Sequence, residues 1–239
     1  MKTLSFHEFR TGHAPGRPII AADTGKDRVS LRPGLSIIIA PNGRGKSTLL
    51  RAIAGLPGWT EGRVTLDGRD VRPEADVLYV SEYLAFPKYV YPQEWLEFVA
   101  GGRATESSSH WIAAFRLGDR MGTFVGKLSQ GERRKLTWAA AHASSRPVLL
   151  LDEPLDGLDL EAMEAARGLV RAWKREGRVV CVVAHQPWEF LDLCDQVLVV
   201  RQGRLVNLEG APLTAESLRE RVLAFYRGPG AEPVTMENI

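Results

Sequence analysis

The chain has 239 residues, of which 44% are hydrophobic and 25% are charged, and its formal net charge at pH 7 is only +2. This length allows one large α/β domain or two small ones with a buried core, and the near-neutral charge gives no reason to expect a nucleic-acid partner. The two cysteines, Cys181 and Cys194, lack the spacing of metal ligands, and we interpret Cys181 as a small buried apolar residue.

No leader sequence and no membrane span is predicted. The segment Met1–Arg10 lacks the apolar core of a signal peptide, and no stretch approaches the roughly 20 apolar residues of a membrane helix. We therefore expect any role at a membrane to depend on a partner protein.

The first third of the chain is predicted to be mainly β-structure. Alternating apolar residues predict an opening strand over residues 2–9, followed by a Gly- and Pro-rich loop at 11–18 and more strand to about Leu31. The continuously apolar run Leu35–Ala40 is typical of a strand buried on both faces. A helix follows, and residues 62–82 are predicted to form further strands.

The rest of the chain is predicted to be a helical stretch followed by alternating elements. Residues 83–127 are aromatic and then polar, with helices expected over Glu94–Ala100 and His110–Leu117. The later elements are helix 129–143, strand 147–152, helix 160–175, strand 178–184, helix 187–193 and strand 196–201. Such alternation predicts an α/β fold with a mostly parallel sheet flanked by helices.

The segment from Ala40 to Ser47 (APNGRGKS) has the pattern of a phosphate-binding loop, except that Ala40 replaces the first glycine. Glycines let the backbone wrap around phosphates, and the helix that follows adds partial positive charge. A chance glycine turn is the alternative, but the flanking strand and helix both lie where the motif requires them. The residues expected to bind nucleotide here are Asn42, Gly43, Arg44, Gly45, Lys46, Ser47 and Thr48. Lys46 would reach the β- and γ-phosphates, and the Ser47 hydroxyl would bind Mg²⁺.

A second motif is the pair of carboxylates, Asp152 and Glu153, at the end of an apolar strand. Strand ends of open α/β sheets face the ligand crevice. Asp152 would hold Mg²⁺, directly or through water, and Glu153 would orient and deprotonate the attacking water. An ordinary acidic turn is the alternative, but adjacent buried acids are costly unless a cation lies nearby.

Three further segments resemble the ATP-binding cassette (ABC) family. Leu128–Arg134 (LSQGERR) resembles its signature motif, Asp156–Asp159 (DGLD) resembles its D-loop, and His185 closes a strand where the family has its switch histidine. The resemblance implies one ATPase domain, 1–239, with a P-loop NTPase core and an antiparallel β-subdomain on its N-terminal side. Its implied divisions are an ATP-binding core over 1–82 and 146–210, a helical subdomain over 83–145 and a C-terminal tail over 211–239.

The resemblance also implies ATP and Mg²⁺ as ligands and a paired mechanism. Two cassettes, identical or related, would clasp two ATP molecules, with each signature helix facing the γ-phosphate held by the other. His185 would contact the γ-phosphate and keep the water and Glu153 in line. The signature and D-loop residues assigned to nucleotide are Ser129, Gln130, Gly131 and Asp159.

Some positions depart from the family pattern or leave alternatives open. Gln130 replaces the usual first glycine of the signature pair, and Glu82 occupies the usual glutamine position of the Q-loop, where we expect it to contact Mg²⁺ or water. The family stacks adenine on an aromatic residue near the amino terminus. Phe9 is our candidate and Phe6 the alternative, unless these rings pack in the core.

The aromatic residues Phe86, Tyr89, Tyr91 and Trp95 crowd the loop beside the groove where the family receives a helix of its membrane subunit. They are interpreted either as docking anchors or as packing residues of the helical insertion. The segment around them resembles cassettes of ABC-2-type exporters, which weakly favours export. The other tryptophans, including Trp138 and Trp173, are interpreted as packing residues.

We therefore predict a nucleotide-binding subunit that powers transport of an unknown substrate. It would lie at the cytoplasmic face of the cell membrane, held there by an integral membrane permease subunit. The alternative is a soluble ABC ATPase acting in translation or DNA repair, although such proteins usually carry two cassettes or a long coiled-coil insertion. A P-loop kinase or GTPase would not explain the signature helix together with His185.

Overall fold

A computed structural model of the chain describes residues 2–22, 29–81, 86–102, 106–184, 187–208 and 214–227. Its strands are β1 (Leu4–Ala14), β2 (Arg17–Ala22), β3 (Ser30–Leu31), β4 (Gly34–Ile39), β5 (Trp59–Leu66), β6 (Arg69–Asp70), β7 (Val77–Val80), β8 (Val148–Asp152), β9 (Val179–Val183), β10 (Gln196–Arg201) and β11 (Arg204–Asn207). Its α-helices are α1 (Lys46–Ile53), α2 (Pro73–Asp76), α3 (Pro92–Ala100), α4 (Glu106–Ala114), α5 (Gln130–Ala143), α6 (Leu160–Arg175) and α7 (Ala215–Arg227). Short 3₁₀ helices cover Gly118–Arg120, Val125–Lys127 and Pro187–Leu193.

The described strands form one sheet in the order β6-β5-β1-β2-β11-β10-β4-β9-β8-β7, with β3 paired to β1. The pairs from β10 through β4, β9 and β8 to β7 are parallel, whereas β1 pairs antiparallel with β2, β3 and β5. The predicted combination of a mostly parallel core and an antiparallel N-terminal part is confirmed.

Every residue of β4, β8 and β9 is buried, because both faces of the parallel sheet are covered. Successive side chains alternate between the faces. Ile37 and Leu151 pack in the core that includes α5 and α6, whereas Ile38 and Leu150 pack in the core that includes α1. The sheet thus separates two apolar cores.

The element bounds agree closely with the sequence prediction in the second half of the chain and less well elsewhere. The predicted loop at 11–18 is instead the end of a β-hairpin, in which only Pro15 and Gly16 form the turn between β1 and β2. Helix α7 lies in the region predicted as a tail. Helices α3 and α4 both pack against α5 in the stretch expected to be a helical subdomain, whose boundaries stay a prediction.

Among the described residues, none of the helices combines the length and the apolarity that crossing a bilayer requires.

Candidate functional site

The phosphate loop joins the end of β4 to the start of α1. Gly43 and Gly45 both have left-handed backbone angles, with φ of 74° and 84°, and Gly45 is the N-cap of the helix. A side chain at Gly45 would come within 2.5 Å of the Ile19 side chain, so both backbone and packing require glycine there. Ala40, by contrast, is not among the described residues with positive φ, so it needs no glycine. The loop therefore tolerates its one departure from the motif.

Lys46 is almost completely buried, at 7% exposure, in the first turn of α1. Its Nζ donates hydrogen bonds to the Ala40 carbonyl oxygen at 2.6 Å and to Asn42 Oδ1 at 3.5 Å. Burial lowers the pKa of Lys46, while the carboxylates of Glu153 and Asp152 act in the opposite direction. The lysine thus faces two carboxylates in a partly desolvated position, where an additional anion would stabilise its charge.

Asp152, at the end of β8, is held by donors from two other elements. The Ser47 hydroxyl of α1 donates to Asp152 Oδ1 at 3.1 Å, and the Tyr79 hydroxyl of β7 donates to Asp152 Oδ2 at 2.8 Å. Burial raises the pKa of Tyr79, and the charge of Asp152 raises it further. Tyr79 therefore remains a hydrogen-bond donor at neutral pH and orients the carboxylate.

Glu153 adopts a strained backbone conformation, with φ of 48°, and is only 8% exposed. Its backbone N–H donates to the Val183 carbonyl oxygen of β9 at 2.8 Å. A non-glycine residue in the left-handed region costs free energy and is enriched at functional sites. The strain lies directly beside the Asp152 carboxylate.

These residues surround one cavity of about 570 Å³. It brings together residues 42–48 of the phosphate loop, Asp152 and Glu153. The sequence prediction missed part of its lining, namely His13, Ile19, Arg51, Tyr79 and Ser81. Arg51 lies on α1 just beyond the phosphate loop, whereas the others reach the cavity from strands β1, β2 and β7 or directly after β7. No sequence motif marks these positions.

The expected adenine-stacking role of Phe9 does not fit the structure. Phe9 is 3% exposed and Phe6 is 2% exposed, and their ring centroids lie 5.7 Å apart in the core. Glu8, with φ of 48°, lies at a register shift between β1 and β5, so the regular alternation is broken and both rings face inward. The residues of β1 and β2 that line the cavity are instead His13 and Ile19, on either side of the hairpin turn.

The signature residues lie outside this cavity. Ser129 is the N-cap of α5 and forms a capping box, in which its hydroxyl accepts from the Glu132 N–H at 3.1 Å and its own N–H donates to Glu132 Oε2 at 2.8 Å. Gln130 and Gly131 are the first residues of the helix. The hydrogen bond from the Ser129 N–H contributes most to a lowered pKa of Glu132.

Asp159 also lies outside the cavity and caps the next helix. Its Oδ1 accepts from the Ala162 N–H at 2.8 Å, and its Oδ2 pairs with Lys135 Nζ at 2.5 Å. The hydrogen bond from Lys135 is the main cause of a lowered pKa of Asp159. Both carboxylate oxygens are therefore engaged within the chain.

Two expected site residues, Glu82 and His185, lie outside the described residues.

Among the described residues, the oxygen atoms of Ser47 and Asp152 are suited to a Mg²⁺ site that the substrate completes. The described residues contain no cluster of three or more His, Cys, Asp or Glu side chains that could enclose a cation. A hydroxyl and a carboxylate, Ser47 and Asp152, are the donors that Mg²⁺ takes when substrate phosphates and water complete its coordination.

Comparisons with known proteins agree with this arrangement. The chain is 31% identical over 198 residues to the sulfate/thiosulfate import ATP-binding protein CysA of Gloeobacter violaceus, covering 78% of this chain and 57% of that protein. It thus spans little more than half the length of that relative. It is 32% identical over 181 residues to the taurine import ATP-binding protein TauB of Ruegeria pomeroyi, covering 72% of this chain and 68% of that protein.

A solved structure of an ATP-binding subunit of an ABC transporter superposes with a TM-score of 0.75 at 22% identity, covering 92% of this chain and 99% of that one, a likeness that concerns the fold. The sequence model of the family described as ABC transporter matches residues 28–156, which is more than half of the chain. The chain belongs to the ABC transporter family.

Proposed function

We propose that the chain binds and hydrolyses ATP with Mg²⁺ as the nucleotide-binding subunit of an ABC transporter. The observation that carries this proposal is the single cavity that combines the phosphate loop with Asp152 and Glu153. Lys46 and the amino end of α1 would bind the phosphates, and Ser47 and Asp152 would hold Mg²⁺. The metal would neutralise phosphate charge, and the Glu153 carboxylate would accept a proton from the attacking water.

The position of the signature helix supports the paired arrangement. Ser129, Gln130 and Gly131 do not line the cavity that holds the phosphate loop of their own chain. The amino end of the helix that begins at Gln130 suits an anion. A hydroxyl that accepts a hydrogen bond can still donate its proton, so the Ser129 cap does not prevent that hydroxyl from donating to a phosphate. We infer that a second cassette supplies this helix end to the γ-phosphate. In that arrangement we still propose that His185 contacts the γ-phosphate and that Asp159 belongs to the nucleotide-binding residues.

An exposed aromatic surface supports a membrane permease as partner. It comprises Tyr89 and Tyr91, which both pack on the half-buried Phe124, together with Phe98, which stacks on Trp95. Tyr89 and Phe98 are 83% and 76% exposed. Phe86 and Trp95 instead pack edge to face, with centroids 5.3 Å apart, against the core. The packing interpretation therefore holds for Phe86 and Trp95, and the exposure of Tyr89 and Tyr91 supports the docking interpretation for those two. Exposed rings of this kind serve as anchors for partners.

This partner would place the chain at the cytoplasmic face of the cell membrane. The weak preference for export is not supported, because the two curated relatives described above are both named for import. We propose neither a direction nor a substrate, since specificity in such assemblies belongs to the membrane partner.

The enzymatic part is tested with Glu153→Gln, which keeps shape but removes the base. We expect unchanged ATP affinity, a loss of hydrolysis on the order of 100-fold or more, and an ATP-dependent dimer in size-exclusion chromatography. Hydrolysis at the parental rate would contradict the assigned role of Glu153.

The partner is tested by affinity purification from gently solubilised native membranes. We expect a multi-span membrane protein at stoichiometric yield, lost in a Tyr89→Ser, Phe98→Ser double variant but retained in Leu56→Ser, a control at an exposed leucine outside the aromatic surface. Recovery only in the soluble fraction with ribosomal or DNA-associated proteins would contradict the transporter assignment and leave the ATPase chemistry intact.

A further inference from the structure

One face of α5 lies along the segment that follows the catalytic carboxylates. The contacts run from Gly131, where a Cβ would lie 3.2 Å from the Gly157 carbonyl oxygen, to Arg134, whose Nε donates to the Asp156 carbonyl oxygen at 3.2 Å. One turn further, Trp138 Nε1 donates to the Pro154 carbonyl oxygen at 2.9 Å. This spacing of three and four residues is one stripe of a helix. The helix that begins with the signature residues is thus joined to the turn that begins with Glu153.

Of the three contacts, that of Trp138 with Pro154 lies nearest to Glu153 in the sequence. Packing fixes the Trp138 ring. It is 2% exposed, and it stacks on Trp173 of α6 with an interplanar angle of 4° and centroids 5.6 Å apart. Phe190 lies on it at a centroid distance of 6.5 Å. The indole has no room to turn, so its N–H has a fixed direction toward the Pro154 carbonyl.

The strained conformation of Glu153 needs support from its neighbours. On one side, its N–H is held by the Val183 carbonyl oxygen. On the other side, the carbonyl oxygen of the following residue, Pro154, accepts the hydrogen bond from Trp138. We propose that Trp138 is a positioning residue that, through Pro154, keeps the Glu153 carboxylate aligned for catalysis and ties this alignment to the signature helix. This inference rests on the proposed ATPase function.

The test compares Trp138→Phe with a matched control, Trp173→Phe. Both remove an indole from the same buried stack, but Trp173 Nε1 has no hydrogen-bond partner among the described residues, so its loss leaves no acceptor unpaired. We expect Trp138→Phe to lower kcat about 10-fold with unchanged ATP affinity, because misalignment acts on the reacting geometry and not on phosphate binding. Trp173→Phe should keep kcat within about two-fold of the parental value. Equal kcat in the two variants would overturn the inference.

A second measurement separates positioning from general loss of structure. In the Glu153→Gln background, Trp138→Phe should change the residual hydrolysis by less than two-fold, because the residue that it positions is already absent. The same 10-fold loss in both backgrounds would show a role independent of Glu153 and overturn the inference. If Trp138→Phe does not fold, benzothienylalanine at position 138 keeps a bicyclic ring of similar shape and replaces the indole N–H by sulfur, which cannot donate, with the same expected results.

The same measurements distinguish failure of the proposed function from failure of this inference. Absence of hydrolysis in the parental chain would overturn the ATPase proposal and this inference with it. Parental hydrolysis combined with equal kcat in the two tryptophan variants would overturn the positioning role alone.

Discussion

Ser47 and Asp152 are separated by 105 positions in the chain, yet Ser47 Oγ lies 3.1 Å from Asp152 Oδ1. The contact arises because β4 and β8 both run parallel to β9, which lies between them, so that both strands end at the same edge of the sheet. The helix after β4 carries the hydroxyl, and the end of β8 carries the carboxylate. The two residues proposed to hold Mg²⁺ are therefore brought together by the topology of the sheet.

The first prediction concerns the buried lysine of the phosphate loop. Lys46→Ala should weaken ATP binding at least 10-fold, because it removes the ammonium group that would pair with the phosphates. Its measurement is the upward shift of the unfolding temperature with ATP, which should be present in the parental chain and nearly lost in the variant. Lys88→Ala, at an exposed lysine outside the cavity, is the control and should keep the full shift. An unchanged shift in Lys46→Ala would contradict the phosphate-binding role.

The second prediction concerns Tyr79, which sequence reasoning did not single out. Tyr79→Phe removes the hydroxyl that donates to Asp152 Oδ2 at 2.8 Å and leaves the packing of the ring intact. Loss of an outer partner typically weakens a metal site by 10–100-fold, so we expect the Mg²⁺ concentration for half-maximal hydrolysis to rise about 10-fold. Binding of ATP measured without Mg²⁺ should not change. Identical Mg²⁺ titrations for parent and variant would show that Tyr79 does not orient Asp152.

The third prediction separates two roles of Ser129. As an N-cap, Ser129 stabilises α5, and its replacement by Ala should lower the free energy of unfolding by about 1 kcal/mol. Aspartate is an equally good N-cap but would repel a phosphate. We therefore expect Ser129→Asp to retain stability in urea unfolding and to lose the ATP-dependent dimer in the Glu153→Gln background. A stable dimer in Ser129→Asp would mean that the signature helix does not face the γ-phosphate.

The fourth prediction concerns acid stability at Asp76. This carboxylate is 4% exposed and accepts from Arg69 Nη1 and Nη2 at 2.6 and 2.7 Å and from the Arg72 N–H at 2.8 Å. The hydrogen bonds from Arg69 are the main cause of a pKa of Asp76 lowered to about 2. Because the pKa is lower in the folded than in the unfolded chain, this stabilisation is complete above pH 4 or so and declines as the pH falls toward 2.

Asp76→Asn should consequently lower the free energy of unfolding by about 1–2 kcal/mol at pH 7, with a smaller difference at pH 3. Urea unfolding of the parent and the variant at pH 7 and pH 3 measures the difference in free energy of unfolding. Glu61→Gln is the control, because Glu61 pairs with Arg10 at an exposed site, where such pairs contribute under about 1 kcal/mol. An Asp76→Asn difference that is equal at both pH values would contradict the assignment to the charged carboxylate.

The features that could be predicted from the sequence are those encoded by contiguous residues. The phosphate loop, the acidic end of β8 and the helices α5 and α6 each follow from local pattern, because apolar periodicity, capping residues and glycine positions act within a few residues of one another. The prediction of helix 160–175 coincides with α6, and Ser129 and Asp159 both cap the helices that they precede.

Predictions from the local sequence pattern were wrong where an irregular backbone breaks the regular alternation of a strand, and where a stretch predicted to be a loop pairs as strands. The irregularity at Glu8 turns Phe9 into the core, and the Gly- and Pro-rich stretch that was predicted to be a loop is paired as a hairpin. That pairing brings Ile19 and His13 to the cavity.

By itself, then, the sequence determined the phosphate loop, the two carboxylates and the capped signature helix, since each depends on hydrogen bonds and spacing within one segment. Only the tertiary structure decided which residues from other segments meet them: His13 on the cavity wall, Tyr79 on Asp152 and Trp138 on the turn after Glu153. These contacts join residues on different strands and helices. Their formation depends on strand order and on the packing of α5 against the sheet, which no local pattern of residues specifies.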